Sequence, residues 1–440
     1  MTSITQVSSQ LRTLFEYEAQ KLGRAAGLRE RGIRLPQLAY LLVLGWLQQP
    51  SAGPSALARF AGSLGVTMTK QEVDGHFTQK TADWLLALLR RAVLLVVTAK
   101  AVPLPLLQRF SAVLVEDGST IQLPASLREV WQGCGGNKTT SYSKAASSLK
   151  LTVRWDLLKG TLFGPFLQDG KQHDLNSALR EQDMPKGSLW IADQGYWNYK
   201  ELARLVNRGV HFLMRLKPGL LVWEGKRRVD LLQQLPQVVG QRLDMLIDIG
   251  ASHQLHGVRL LAERVPDEVK IKRQERIQEY ARTHQKPVNP LTMELAAWTM
   301  IVTSAPASLI SLDEAFVFLR ARWQIELLFK LWKSGGLLDE WQSVKPWRIL
   351  CEVYAKLLAL VVQHWLLLLS CWDDPHHSFT AVSEIVRHHV PILVLGLRRV
   401  LPLDTAIQLL TLAVKGATSI PARSTRMSIS HCLLGGSGPP

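Results

Sequence analysis

Cysteine is scarce: the 440 residues hold four, Cys134, Cys351, Cys371 and Cys432, and none stands in a Cys-x-x-Cys spacing. That excludes a zinc ribbon and a disulfide framework, and it fits a reducing cytosol. The opening MTSITQVSSQLRTLFEYEAQ is mixed polar and carries no apolar h-region. Long oily runs are missing too. The longest, Leu357 to Leu369, is interrupted by Gln363 and His364 and reads as a buried helix rather than a membrane span. Acid is in deficit, 36 Asp plus Glu against 52 Lys plus Arg, a formal charge of +16. Such an excess speaks about partners, and the commonest cytosolic polyanions are nucleic acids. What is present is core material: 47% hydrophobic residues and 14 Trp exclude a disordered tail protein. The length suggests about three structural units.

Residues 1 to about 105 show helical periodicity with stops at Pro50, Gly53 and Pro54. The stretch SALARFAGSLGVTMTKQEVDGHF predicts two helices around Gly65, which fits a DNA-reading helix-turn-helix as well as plain helical packing. From Phe110 the pattern turns to strands: SAVLVEDGSTIQLP, SSLKLTVRWDLLKG and TLFGPFLQDG, with a turn at Leu158 to Gly160. A short helical piece at Leu175 to Gln182 precedes the apolar strand GSLWIADQG. Strands dominate again from Gly209 to about Pro306, broken by the charged stretch 267 to 286, which reads as a solvated helix or as a backbone contact to DNA. Helical pattern resumes at Asp313 and runs to about Lys415, followed by a polar tail expected to be loosely ordered.

Two carboxylates end similar apolar strands. Side chains alternate along a strand, so Glu116 and Asp117 point to opposite faces and only one of them can serve a given site. Asp193 ends LWIADQG before Gly195. Each is a turn acid or half of a metal site. A third piece is LRARWQIELLFKLWKS. At 100° per residue Arg322, Glu326, Lys330 and Lys333 fall at about 0°, 40°, 80° and 20° of an α-helix, with Trp323, Ile325, Leu327, Leu328, Leu331 and Trp332 around the rest. That stripe is either a solvated face or the lining of a phosphodiester site, where an acid holds a cation and bases hold flanking phosphates. Asp169 and Asp174 read as turn residues, and the pairs His376–His377 and His388–His389 as surface histidines.

The order VEDGSTIQLP, IADQGYWN, then Arg, three residues, Glu, six residues, Lys resembles the DDE transposases of bacterial insertion sequences. More narrowly it is similar to the insertion-sequence-four family, whose signature places a Tyr three residues before the Arg. Arg322, Glu326 and Lys333 fit; the Tyr position is Leu319. GCGGNK at 133 to 138, GYWNYKEL and WTMIVTSAP at 298 to 306 add to the likeness. The resemblance implies an α/β, RNase H-like catalytic core interrupted by a mostly β insertion, with an α-helical N-terminal domain and a helical C-terminal region. The expected division is 1–105 helical and DNA-binding, 106–208 core, 209–306 insertion, 307–375 core with the signature helix, and 376–440 helical with a flexible tail.

It implies that Asp117, Asp193 and Glu326 are catalytic and bind two Mg²⁺ or Mn²⁺ ions. Arg322, Lys330 and Lys333 would grip DNA phosphates, and Trp298 would stack on a base displaced from the terminal duplex. The expected partners are double-stranded DNA, namely terminal inverted repeats and target DNA, and a second copy of the chain in the DNA complex. No membrane is involved. The expected place is the bacterial cytoplasm, on the nucleoid when DNA is bound. Cut-and-paste chemistry through a hairpin on the transposon end is the implied reaction. The rivals are an inactive transposase-derived regulator and a same-fold nuclease that never joins strands.

Overall fold

The computed structural model describes residues 3–30, 32–134, 146–235, 241–372, 378–416 and 433. Residues 135–138 of the GCGGNK segment, His376 with His377, and nearly all of the tail after 416 lie outside that set. The architecture is mixed α/β. Its strands are β1 Val113–Leu123, β2 Ser147–Asp156, β3 Leu162–Asp169, β4 Leu189–Ala192 and β5 His211–Arg215, then β6 Val222–Glu224, β7 Arg227–Arg228, β8 Arg242–Ile249, β9 Leu255–Arg264 and β10 Trp298–Thr303. Two compact units divide the chain: Met1–Pro103 with Asp117–Gln182 and Ile325–Arg426, and Leu104–Glu116 with Asp183–Gln324 and Met427–Pro440. The cuts fall inside β1, after Glu116, and inside the signature segment, after Gln324.

In the first unit the N-terminal helices start and stop where local chemistry dictates. Gly53 and Pro54 open the Pro54–Ser63 helix, and Gly65 leaves it at φ +71°, a left-handed turn that glycine adopts without a Cβ clash. Thr69 and Glu72 cap each other's backbone at the start of Lys70–Gly75. The helix-turn-helix outline of the sequence is therefore present as two short helices around Gly65. The oily run forms one helix, Pro346–Ser370, in which every residue from Ile349 to Leu368 is buried. A helix apolar all round belongs in a core, and this one is packed inside the protein.

Three of its buried polar residues have close partners. Tyr354 accepts from Trp131 Nε1 (2.6 Å), Lys356 meets Glu352 (2.8 Å), and His364 Nε2 donates to the Gly160 carbonyl (2.7 Å). Burial pushes the His364 imidazole down to about 4, although the Gly160 carbonyl works the other way. A histidine kept neutral by the fold takes up a proton on unfolding. Its stabilising contribution is thus complete above the unfolded value near 6.5 and is lost as pH falls from there to about 4. The denaturation midpoint of wild type should drop across that window more steeply than that of His364→Asn, measured by thermal melts at several pH values.

In the second unit the first half of β1 begins the order β1-β4-β5-β10-β9-β8-β6-β7. β1, β4 and β5 are parallel, and every later pairing is antiparallel. The strands expected between 209 and 306 are all found. The charged stretch is the Asp267–Thr283 helix, mostly exposed, pinned by Arg273 to Trp298 O (2.9 Å) and Thr299 Oγ1 (2.9 Å). In the first unit the helical piece expected at Leu175 to Gln182 is instead two 3₁₀ turns, Asp174–Asn176 and Ala178–Glu181, with Ser177 between them taking β geometry and capping the second.

Candidate active site

Alternation along β1 sorts its neighbouring acids. In the second unit Val113 to Glu116 and Leu189 to Ala192 are buried, and Glu116 Oε2 accepts from Trp190 Nε1 at 3.1 Å. The core thus takes up Glu116, and Asp117, half-buried, projects from the opposite face. β1 pairs with β4 in parallel, in a register that sets Val113 opposite Leu189 and Glu116 opposite Ala192.

Asp193 follows β4 as an exposed residue with extended backbone, and its carbonyl accepts from Tyr196 N (3.0 Å) in the 3₁₀ turn Gln194–Tyr196. Around it the DQGYWN segment is locked locally. Gln194 Nε2 donates to Leu216 O (2.9 Å), Tyr196 is buried edge-on to Trp190, and Asn198 caps the Tyr199–Asn207 helix. No cap bond of that turn uses the Asp193 side chain.

In the first unit Asp117 Oδ1 accepts from the Gly118 amide at 2.8 Å. A Cβ at 118 would stand 2.9 Å from Asp174 Oδ1 and 3.4 Å from Leu151 O, so a side chain there would have to displace the Asp174 carboxylate. Asp174, read from sequence as a turn acid, is ion-paired with Lys150 (3.1 Å), whose Nζ also donates to Gln172 O (2.6 Å). Sequence reasoning did not anticipate that Asp174, with Lys150, packs beside Gly118, the residue after the β1 acid. The only local signal was the Gly after Asp117.

Glu326 is half-buried in the Trp323–Lys330 helix and Lys330 is exposed. Lys333 Nζ donates to Thr120 O at 3.1 Å, which ties the signature segment to β1 three residues beyond Asp117.

The single-face stripe needs correction. From Leu331 to Gly335 the helix is π-helical, so Lys333 does not keep the 100° phase that put it beside Arg322. The apolar surround is also smaller than expected. Ile325, Leu328 and Trp332 are buried, but Trp323 and Leu327 are 52% and 43% exposed. Arg322 and Leu319 lie in the second unit, Arg322 half-buried and Leu319 buried. Trp298 opens β10 opposite Arg264 and is only 6% exposed, so its ring is packed in the core.

The three acids expected from the sequence, Asp117, Asp193 and Glu326, each offer only carboxylate oxygen, a ligand type that suits hard divalent cations such as Mg²⁺ or Mn²⁺. Asp193 fits this use by its exposure, and Asp117 by an oxygen held in place by the next amide.

A sequence profile of the family described as Transposase DDE domain matches residues 108–362, more than half of the chain. The chain is 24% identical over 360 residues to a transposase for an insertion sequence element of Bacillus thuringiensis subsp. finitimus, covering 76% of this chain and 73% of that protein. It is 25% identical over 377 residues to one from Bacillus thuringiensis subsp. berliner, covering 80% and 76%. A transposase for an insertion sequence element of Clostridium perfringens is 23% identical over 275 residues, covering 58% and 56%.

Proposed function

The chain belongs to the DDE transposases of insertion sequences, and from that premise we propose that it binds its element's terminal inverted repeats and moves them by cut-and-paste cleavage and strand transfer. The catalytic unit of this reading is RNase H-like, with Asp117, Asp193 and Glu326 as its acids. The observation that carries it is the parallel register of β1 on β4. Glu116 stands opposite Ala192, and the next residue along each strand is an acid, Asp117 and Asp193. The Lys333–Thr120 bond supports Glu326 as the third member.

The three carboxylates would hold two Mg²⁺ or Mn²⁺ ions, which supply Lewis acidity at the attacking and leaving oxygens of an in-line phosphoryl displacement. The chain's own residues then orient and neutralise. Asp117 is steered by its own Gly118 amide, and Lys333 braces the signature segment on β1. Arg322 and Lys330 meet DNA phosphates through charge. No side-chain nucleophile is called for, so one set of carboxylates serves hydrolysis first and joining of the freed 3′-hydroxyl afterwards. Holding two ends together calls for at least two copies of the chain, and the cytoplasm is where the substrate DNA lies. Base capture by Trp298 would require the start of β10 to open, since the ring is buried. Trp298→Ala should then impair hairpin formation more than first-strand nicking.

The deciding experiment mixes the full chain and Mg²⁺ with terminal-repeat DNA, intact in one reaction and precleaved in another, and a target plasmid. Joined product is expected. Cleavage of intact ends without joining would favour the nuclease, and binding without cleavage the regulator. Arg322→Ala and Lys330→Ala should each weaken binding to terminal and random DNA alike. Each should also lower the slope of log affinity against log salt by about 0.9, read from filter binding across salt concentrations.

A further inference from the structure

We propose that Asp248, His253 and His256 form a binding site for a borderline divalent cation, Zn²⁺ in the first instance, at the tip of the β8–β9 hairpin. Among the described residues these three bring one ligand atom each to within 4.8 Å of one another. His253 Nδ1 and His256 Nδ1 lie 3.1 Å and 3.2 Å from the same carboxylate oxygen, Asp248 Oδ2. Ligand atoms about 2.0–2.1 Å from a tetrahedral Zn²⁺ stand about 3.3 Å apart, and the two His–Asp separations already match that spacing.

The surroundings hold this arrangement in place. The β8–β9 register shifts between Ile247 and Ile249, and such an irregularity re-aims the side chain it contains, here Asp248. The Gly257 amide donates to the other carboxylate oxygen, Oδ1, at 2.8 Å, the kind of outer bond that orients a ligating carboxylate. His253 takes a left-handed φ of +50° and packs on Trp223, ring centroids 4.8 Å apart. Trp223 is itself fixed by its Nε1 bond to Gly250 O (2.8 Å). The His253 and His256 rings lie nearly parallel, 7° between planes.

Two imidazoles and one carboxylate suit Zn²⁺ and its neighbours, whereas Mg²⁺ takes oxygen and keeps its water. His256 is 71% exposed on its side-chain surface, so the site faces solvent and a water can fill the fourth position. The inference stands apart from the transposase reading, because none of these residues belongs to the carboxylate set.

The test is a Zn²⁺ titration of the full chain by calorimetry in excess Mg²⁺, repeated on His253→Gln/His256→Gln and on Asp117→Ala. One Zn²⁺ per chain that persists under Mg²⁺, is lost in the double variant and remains in Asp117→Ala is the expected result. Co²⁺ added to the wild-type chain reports without any variant. Intense visible d–d absorption that excess Mg²⁺ does not remove signals nitrogen ligands in a near-tetrahedral site. Zn²⁺ uptake equal in wild type and double variant, its displacement by Mg²⁺, or a Co²⁺ spectrum like that of the hydrated ion would each overturn the proposal.

Discussion

Replacing Asp117, Asp193 or Glu326 with Ala, one at a time, is expected to lower Mg²⁺-dependent nicking of terminal-repeat DNA by about 10³-fold or more and to leave DNA binding in place. Removing one preorganised charge-stabilising group elsewhere costs up to about 10³ in rate, and a lost cation ligand should exceed that. Binding survives because it rests on spread-out phosphate contacts by a chain of formal charge +16. The informative control is Glu116→Gln. Glu116 is fully buried and accepts from Trp190, and glutamine keeps an acceptor oxygen for that bond while removing the carboxyl. Nicking by Glu116→Gln should stay near wild type. If instead Asp117→Ala nicked normally and Glu116→Gln did not, the assignment of faces along β1 would be wrong. Gel-based nicking and mobility-shift assays on the same preparations read both effects.

Lys356→Met carries the largest expected stability effect. Lys356 Nζ bonds Glu352 Oε1 (2.8 Å), Leu337 O (2.9 Å) and Glu340 O (2.8 Å) inside the core. Burial pushes the lysine down and the glutamate up, and each charge is retained through the other. Taking away one partner leaves a buried unpaired charge and two carbonyls without that donor, at a cost of about 3–5 kcal/mol. Glu352→Met with Lys356→Met together should be less damaging than Lys356→Met alone, because no lone charge remains. Denaturant melts of the two variants test this. The carbonyls at 337 and 340 follow closely on the π turn that carries Lys333. Lys356→Met should therefore also slow nicking at temperatures where the chain is still folded.

The candidate acids stand out in the sequence because their signals are local. Strand alternation separates Glu116 from Asp117, and an acid follows the apolar end of β4 as expected, but β1 runs on to Leu123, so Asp117 lies within its strand and does not end it. Gly65, Thr69 and Pro54 punctuate helices by their own backbone preferences. The phase argument for Lys333 failed because a π turn is not encoded in residue spacing, and packing alone brought its ammonium to Thr120. Histidine was weighed at 376–377 and 388–389, where neighbours in sequence stand out, and passed over at 253 and 256, where only a hairpin turn makes them partners.

The order of elements, the buried oily helix, the basic charge and the family to which the chain belongs all came from the amino-acid order, since period, turn chemistry and motif spacing act over a few residues. The rest depended on chain segments distant in sequence. The Gly118–Asp174–Lys150 cluster, the clamp of Lys356 on two backbone carbonyls and the β1–β4 register exist only once the strands pair and the core closes. Contacts of that kind are selected by the free energy of the whole packed unit, and no short stretch of residues carries enough of it to specify them.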